Sequence, residues 1–322
     1  MRGTAEEWRE QVGRLCSGNS RLVLAVSCAF AGPLLSIGGL ESGGVHLHGG
    51  TSKGKTTTLF VAGSVCGGGG QNGFVQTWRT TTNGLEATAE THHDGTLFLD
   101  ELAQVDARES AEVAYLLASG QGKSRMARSM VARKKPTWRL LFVSTGEVTL
   151  AEHAASAGKQ VRGGADIRLL NIRADAGKGM GLIEELHGTD SSDIFIRQLR
   201  EAAEKFYGAP FRSYLHRLVR ERSAAEQTIR ATREAINSVV PKASAGEVRR
   251  AADRFGVIAA AGELATIWNL TGWTEGEALE VAKRCFTEWL SERGTSGVRI
   301  WKPVSDRFVC FLARTVPAGS KN

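Results

Sequence analysis

Residues 45–58 read Val-His-Leu-His-Gly-Gly-Thr-Ser-Lys-Gly-Lys-Thr-Thr-Thr, and the fold is decided there. The eight residues Gly49-Gly50-Thr51-Ser52-Lys53-Gly54-Lys55-Thr56 satisfy GxxxxGK[ST], which demands two glycines, a lysine and a hydroxyl in fixed places. An apolar strand at 45–48 leads in and a helix leads out. That context aims successive backbone N–H groups and the positive end of a helix at one point, which is how a chain grips phosphates. Gly49 and Gly54 permit backbone angles and a close approach that a Cβ would block. Lys55 is expected to reach the β and γ phosphates of a nucleotide, ATP above all. The Thr56 hydroxyl is expected to hold Mg²⁺, and Thr57 is expected among the nucleotide-binding residues.

A grip that hydrolyses needs one carboxylate near the magnesium and usually another beside the attacking water. Residues 96–101, Thr-Leu-Phe-Leu-Asp-Glu, supply both. An apolar run ending in two acids puts them at the carboxyl end of a buried strand, where α/β sheets bind ligands. Asp100 is therefore expected at the metal through water, and Glu101 as the base that activates water. Such enzymes also set a polar residue on a strand between the two motifs, to sense the γ phosphate. Ser144 and Thr145, at the end of the apolar run 140–143, both fit. Transition-state charge calls for a cation, often an arginine offered by a neighbouring subunit, and Arg162 and Arg168 are candidates.

Working outward, strand and helix signals alternate. Residues 56–66 read as a helix stopped by Cys66 and four glycines, 74–78 as extended and 83–91 as a helix. Next come a buried strand at 96–99, a helix at 109–119 and strands at 140–145 and 167–172. This is the grammar of an α/β parallel sheet, here a P-loop NTPase core. Past residue 190 the segments 194–207, 211–239, 245–270 and 277–293 all favour helix. The expected organisation is a helical segment over 1–43 packed on the core, a P-loop core over 44–190 with its boundary near 188–192, and a mainly helical lid or C-terminal domain over 191–322. A small hairpin is expected at 298–301 and 307–312.

Five cysteines (Cys16, Cys28, Cys66, Cys285 and Cys310) are odd in number and scattered, which excludes a disulfide framework and points to a reduced, cytoplasmic protein. Residues 22–38, LVLAVSCAFAGPLLSIG, come near the length of a membrane span. Gly32 and Pro33 interrupt them, no basic flank or cleavage site accompanies them, and they run straight into the nucleotide motif. A buried helix and no membrane partner are expected. Met1-Arg2-Gly3-Thr4 reads as an arbitrary start, as of a piece cut from a longer protein.

The formal charge of +7 favours a polyanionic partner. Lys123, Arg125, Arg128, Arg133, Lys134, Lys135 and Arg139 stand within seventeen residues without an acid among them. Pro136 excludes a continuous helix, so a basic hairpin over about 123–139 is expected, meeting DNA, in single-stranded form, by sequence-neutral ion pairing. A solvated loop, or a contact with an adjacent subunit's nucleotide, is the alternative. Trp138 reads as a core anchor and His92-His93-Asp94 as a polar turn. Arg212, His216, Arg217, Arg220, Arg222, Arg230 and Arg233 are interleaved with acids and read as a solvated helix face. Arg249, Arg250 or Arg254 could return to the nucleotide as a second sensor.

The stretches VHLHGGTSKGKTTT (45–58), TLFLDE (96–101), LFVSTGE (141–147) and FGVIAAAGEL (255–264) resemble a known bacterial and phage family, domain-of-unknown-function family 927, found in large replication proteins of mobile elements. With their spacing they cover most of residues 20–295. The resemblance implies an AAA+-like ATPase of the minichromosome-maintenance type, a class of ring helicases. By position it implies Lys55, Thr56, Asp100 and Glu101 at the nucleotide, 123–139 as a hairpin before the sensor strand, and Arg168 as the arginine given in trans. That class carries an asparagine as first sensor, where this chain offers Ser144 or Thr145. The leading expectation is an ATP-driven DNA helicase or translocase, a homo-oligomer of hexameric ring form. The competing one is a nucleotide-gated assembly switch with little turnover. A small-molecule kinase is weaker, for it has no use for a basic hairpin.

Overall fold

Five parallel strands form one sheet in the computed structural model, which describes residues 1–50, 54–123, 135–160 and 164–294. They are β1 (Gly43–His48), β2 (Gln76–Thr77), β3 (Thr96–Asp100), β4 (Leu141–Gly146) and β5 (Leu169–Arg173), in the order β2-β3-β4-β1-β5. Because every pair is parallel, one edge of the sheet carries all the carboxyl ends. β1, β3 and β4 deliver their ends to that edge side by side. β4 lies between β1 and β3.

The described helices longer than three residues past the amino terminus, leaving aside Leu34–Ile37, are α1 (Ser20–Ala31), α2 (Lys55–Cys66), α3 (Thr82–Thr91), α4 (Ser110–Ser119), α5 (Leu150–Ser156), α6 (Ala165–Arg168), α7 (Ser192–Lys205), α8 (Ala209–Arg220), α9 (Arg222–Asn237), α10 (Gly246–Ile267) and α11 (Glu277–Arg293). Alternation along the strands sorts their side chains onto two faces. Val45, Leu47, Phe98, Leu141, Val143, Leu170 and Ile172 join one core with α1, α2 and α10. Leu97, Leu99, Leu140, Phe142 and Leu169 join a second with α3, α4 and α5. Sheets covered on both faces have strands with apolar runs facing both ways, as Leu97–Leu99 of β3 and Leu141–Val143 of β4 do.

Every residue of α1 is buried, so the apolar run at 22–38 is a core helix followed by a short turn of helix, Leu34–Ile37. Among the described residues no helix is long and apolar enough to cross a membrane. The helices beyond residue 190 share the core of α1 and the first sheet face. Buried Glu263 on α10 accepts from the N–H groups of Gly276 (2.7 Å) and Leu279 (2.9 Å), capping the start of α11. Arg217–Glu221 and Arg222–Glu226 form i,i+4 ion pairs at 2.8 and 3.2 Å, as a solvated helix face would.

Two expectations need correction. The strand expected over 167–172 starts at Leu169, because residues 165–168 make a helical turn and the Ile167 carbonyl is taken by the Arg254 guanidinium instead of a ladder. The extended stretch 74–78 narrows to Gln76–Thr77 at the sheet margin, where Trp78 turns inward. The hairpin expected at 298–301 and 307–312 lies outside the described residues, as does Cys310.

Candidate functional site

Gly49 leaves β1 with φ +143° and Gly54 opens α2 with φ +80°. A Cβ on Gly54 would stand 2.9 Å from Ile196 Cδ1, so shape as well as backbone angle demands glycine there. Thr51, Ser52 and Lys53 lie outside the described residues. Lys55, the first residue of α2, is 8% exposed, and its ammonium donates to the carbonyls of Gly49 (2.7 Å) and Gly50 (2.8 Å). The ammonium is thus held against the two carbonyls that follow β1. Thr57 is buried in the packing of α2.

Across the edge, the Thr56 hydroxyl donates to Asp100 Oδ1 at 3.3 Å, although 44 residues separate them. The same oxygen accepts a 2.5 Å hydrogen bond from the Thr145 hydroxyl, and Thr145 Oγ1 in turn accepts from the Glu101 N–H at 3.2 Å. Thr56, Asp100, Glu101 and Thr145, from three separate segments, therefore meet beside Lys55. Glu101 has φ +60°, a backbone state that costs a non-glycine residue about 1 kcal/mol and concentrates at functional sites. It turns the chain out of β3, while its carboxylate accepts from Ala103 N–H at 3.3 Å. A hydroxyl and a carboxylate this close form a hard oxygen donor set, the kind magnesium takes.

Ser144 does not belong to this cluster. Neighbours on a strand point to opposite faces, and Ser144 is wholly buried on the other one. Its Oγ accepts from Trp78 Nε1–H (2.9 Å) and sits 2.9 Å from His46 Nδ1, while His46 Nε2 lies 3.0 Å from the Val148 carbonyl. One assignment satisfies all four groups: Trp78 donates to Ser144, Ser144 to His46, and His46 Nε2–H to Val148. Burial pushes the His46 pKa down to about 4, so the imidazole is neutral at ordinary pH. No motif announces this network, since its members are brought together only by strand register.

The opposite edge carries other charges. Arg168 ends α6 at the amino end of β5, its guanidinium 4.3 Å above the Tyr115 ring and donating to Gly164 O at 3.1 Å. There it cannot reach its own chain's Asp100. Arg162 is outside the described residues. Arg254 is corrected: it is 7% exposed, donates to Ile167 O and to Ser42 O, and crowds Gly43 at the start of β1, a strand's length from the glycine loop. It therefore cannot serve as second sensor to its own nucleotide. Burial lowers its pKa to about 10. Arg249 donates to the Lys242 carbonyl at 3.2 Å.

Of the basic stretch, Arg125, Arg128, Arg133 and Lys134 are outside the described residues. The flanking arms run antiparallel: Gln121 bridges to Thr137, Gly122 N–H donates to Pro136 O (2.9 Å) and Trp138 N–H to Gly120 O (2.9 Å). Lys123 pairs with Glu112 at 3.2 Å and Lys135 donates to Gln121 at 2.9 Å. Trp138 is a core anchor, its Nε1–H on the Leu117 carbonyl at 2.9 Å. His92, His93 and Asp94 form the turn that holds Arg139, paired with Asp94 at 2.7 Å.

A family model described as a domain of unknown function (DUF927) matches residues 1–137. Among solved structures, a chain described as "SCCmec type IV Cch, active helicase" superposes with a TM-score of 0.69 at 18% identity, over 97% of this chain and 55% of that one. This chain thus has the fold of that region and spans about half the length of its neighbour. NtrX from Brucella abortus, in complex with ADP, also matches at 15% identity over 82% of this chain and 68% of that one, with a TM-score of 0.26 that carries no weight. Among curated proteins nothing matches the sequence.

Proposed function

We propose that this chain is the P-loop ATPase core of an AAA+-like DNA motor, a helicase or translocase of a mobile or phage-like genome, working as a homo-oligomeric and hexameric ring. One observation carries the reading: Thr56, Asp100, Glu101 and Thr145 converge beside Lys55 at the carboxyl edge of a parallel sheet. On this reading residues 49–56 cradle the triphosphate of ATP and Lys55 moves from its loop carbonyls to the β and γ phosphates. Thr56 and Asp100 would hold Mg²⁺, whose chemistry is to neutralise charge on the phosphate oxygens. Glu101 takes the proton of the attacking water, which requires its carboxylate to leave Ala103. Thr145 fixes Asp100 and is the hydroxyl suited to sense the γ phosphate. Arg168 is offered to the nucleotide of a neighbouring copy, and residues 123–135 meet DNA phosphates.

The test is steady-state ATP hydrolysis with and without single-stranded DNA, for the parent chain, Lys55→Ala, and a variant neutralised at Arg125, Arg128, Arg133 and Lys134. Lys55→Ala is expected to abolish turnover, and neutralisation to remove the DNA response while leaving basal turnover. Turnover that depends on Lys55 but ignores DNA would instead support the nucleotide-gated switch. Turnover indifferent to Lys55 would refute the enzyme reading.

A further inference from the structure

Beyond β5 the chain makes a closed loop, Asp175-Ala176-Gly177-Lys178-Gly179-Met180-Gly181, tied at its neck by Ala176 N–H on the Gly181 carbonyl at 2.8 Å. Its stems lie beside Gly49 on one side and Gly54 on the other. Ala174 N–H donates to His48 O at 2.8 Å, and a Cβ on Gly49 would lie 3.8 Å from that of Ala174. At the other stem, Leu182 Cδ2 would be 3.1 Å from a Cβ on Gly54. The loop therefore rises on the β5 side, with its two stems beside Gly49 and Gly54, and Gly177, Lys178 and Gly179 at its tip are exposed.

Its backbone has an unusual rhythm. Gly177, Gly179 and Gly181 have φ of +84°, +76° and +68°, while Lys178 and Met180 between them stay on the negative side. The Gly177 N–H closes back onto Asp175 Oδ1 at 2.8 Å, so what the tip offers a ligand is the exposed Lys178 side chain. Nothing lies within 4 Å of a Cβ built on Gly177 or Gly179, so these glycines are not needed for packing.

The base of the loop is fixed by two arginines from distant helices. Buried Arg21 donates through Nε to Arg173 O (2.8 Å) and through Nη2 to Asp175 O (3.4 Å), and Arg284 donates to Ala176 O at 3.0 Å. Both are paired with Glu288, at 2.6 and 2.9 Å, and Arg284 also with Glu184 at 2.5 Å. Four charged side chains thus hold the stem of an otherwise exposed loop. A stem ordered in advance leaves less entropy to lose when a ligand is gripped.

We propose that the 175–181 loop is a second phosphate-binding element, in which Lys178 supplies a cation to the polyphosphate of the nucleotide held by residues 49–56. This rests on the reading of residues 49–56 as a phosphate loop. It predicts that affinity depends on Lys178 only for ligands that carry phosphates.

The experiment measures binding of fluorescent ATP and ADP analogues, and of adenosine by competition, to the full chain. The variants are Lys55→Ala, Lys178→Gln, Lys178→Arg and, as a control for net charge, Lys205→Gln at an exposed site on α7. Lys178→Gln should weaken ATP and ADP about tenfold, or about 1.4 kcal/mol, and leave adenosine and the melting temperature unchanged. Lys178→Arg should restore most of the loss, and Lys205→Gln should match the parent. The proposal is overturned if Lys178→Gln binds ATP like the parent while Lys55→Ala has lost it, a result that leaves the reading of 49–56 standing. An equal loss in Lys205→Gln, or an equal loss for adenosine, overturns it too. A parent chain that binds no ATP removes both readings together.

Discussion

His46 shows how a single residue can tie stability to pH. Its ring is enclosed and neutral, with a pKa pushed down to about 4 by loss of solvent, against an ordinary value of 6.5. Between those values the unfolded chain takes up a proton that the native chain refuses. Stability should therefore fall as pH drops from 6.5 to about 4, by up to roughly 3 kcal/mol from this group, and no further below. Urea unfolding at pH 7 and pH 4.5 should show a steeper loss for the parent than for His46→Gln; equal losses would refute the assignment. At this scale Lys55, Thr56, Asp100 and Glu101 were legible because a motif fixes both type and spacing. Ser144 and Thr145 were not separable, since a one-residue step along a strand reverses the face and no local signal gives the phase. Trp78 and His46 were invisible because only register unites them with Ser144.

Elements were easier to read than their ends. β1, β3 and β4 are apolar runs with polar termini, and the structure keeps them within a residue or two. The start of β5 was misread because a distant arginine competes for the Ile167 carbonyl, a contact that no window around 167 contains. The joint between the glycine loop and α2 is the most constrained. Gly54→Ala would put a Cβ into Ile196 and Leu182 and force a left-handed backbone, which should cost about 1–2 kcal/mol of stability. If residues 49–56 grip phosphates as proposed, nucleotide affinity should fall more than stability does. Parallel measurement of melting temperature and ATP-analogue binding checks this: a variant that melts early yet binds normally would uncouple joint from grip.

Across the whole molecule, the acids sit at one margin of the sheet and Arg168 with the arms flanking the basic stretch at the other. If Arg168 completes a neighbour's site, Asp100→Asn and Arg168→Ala chains should each be inactive alone and regain turnover when mixed. Mixtures as silent as their components would argue against a shared site. Little of this arrangement could be read in advance: the charged cluster of Arg21, Glu184, Arg284 and Glu288 joins residues up to 267 apart, and pattern reading sees only neighbours. One strand spans both margins. β4 begins three residues past Trp138, in the arm leading from the basic stretch, and runs to Thr145, whose hydroxyl grips Asp100. An extended chain hardly stretches along its length, and six residues of it cover roughly 20 Å. A tug on the basic arm would then arrive at the Asp100 carboxylate almost undiminished, as along a taut wire, with the hydroxyl of Thr145 as its hook.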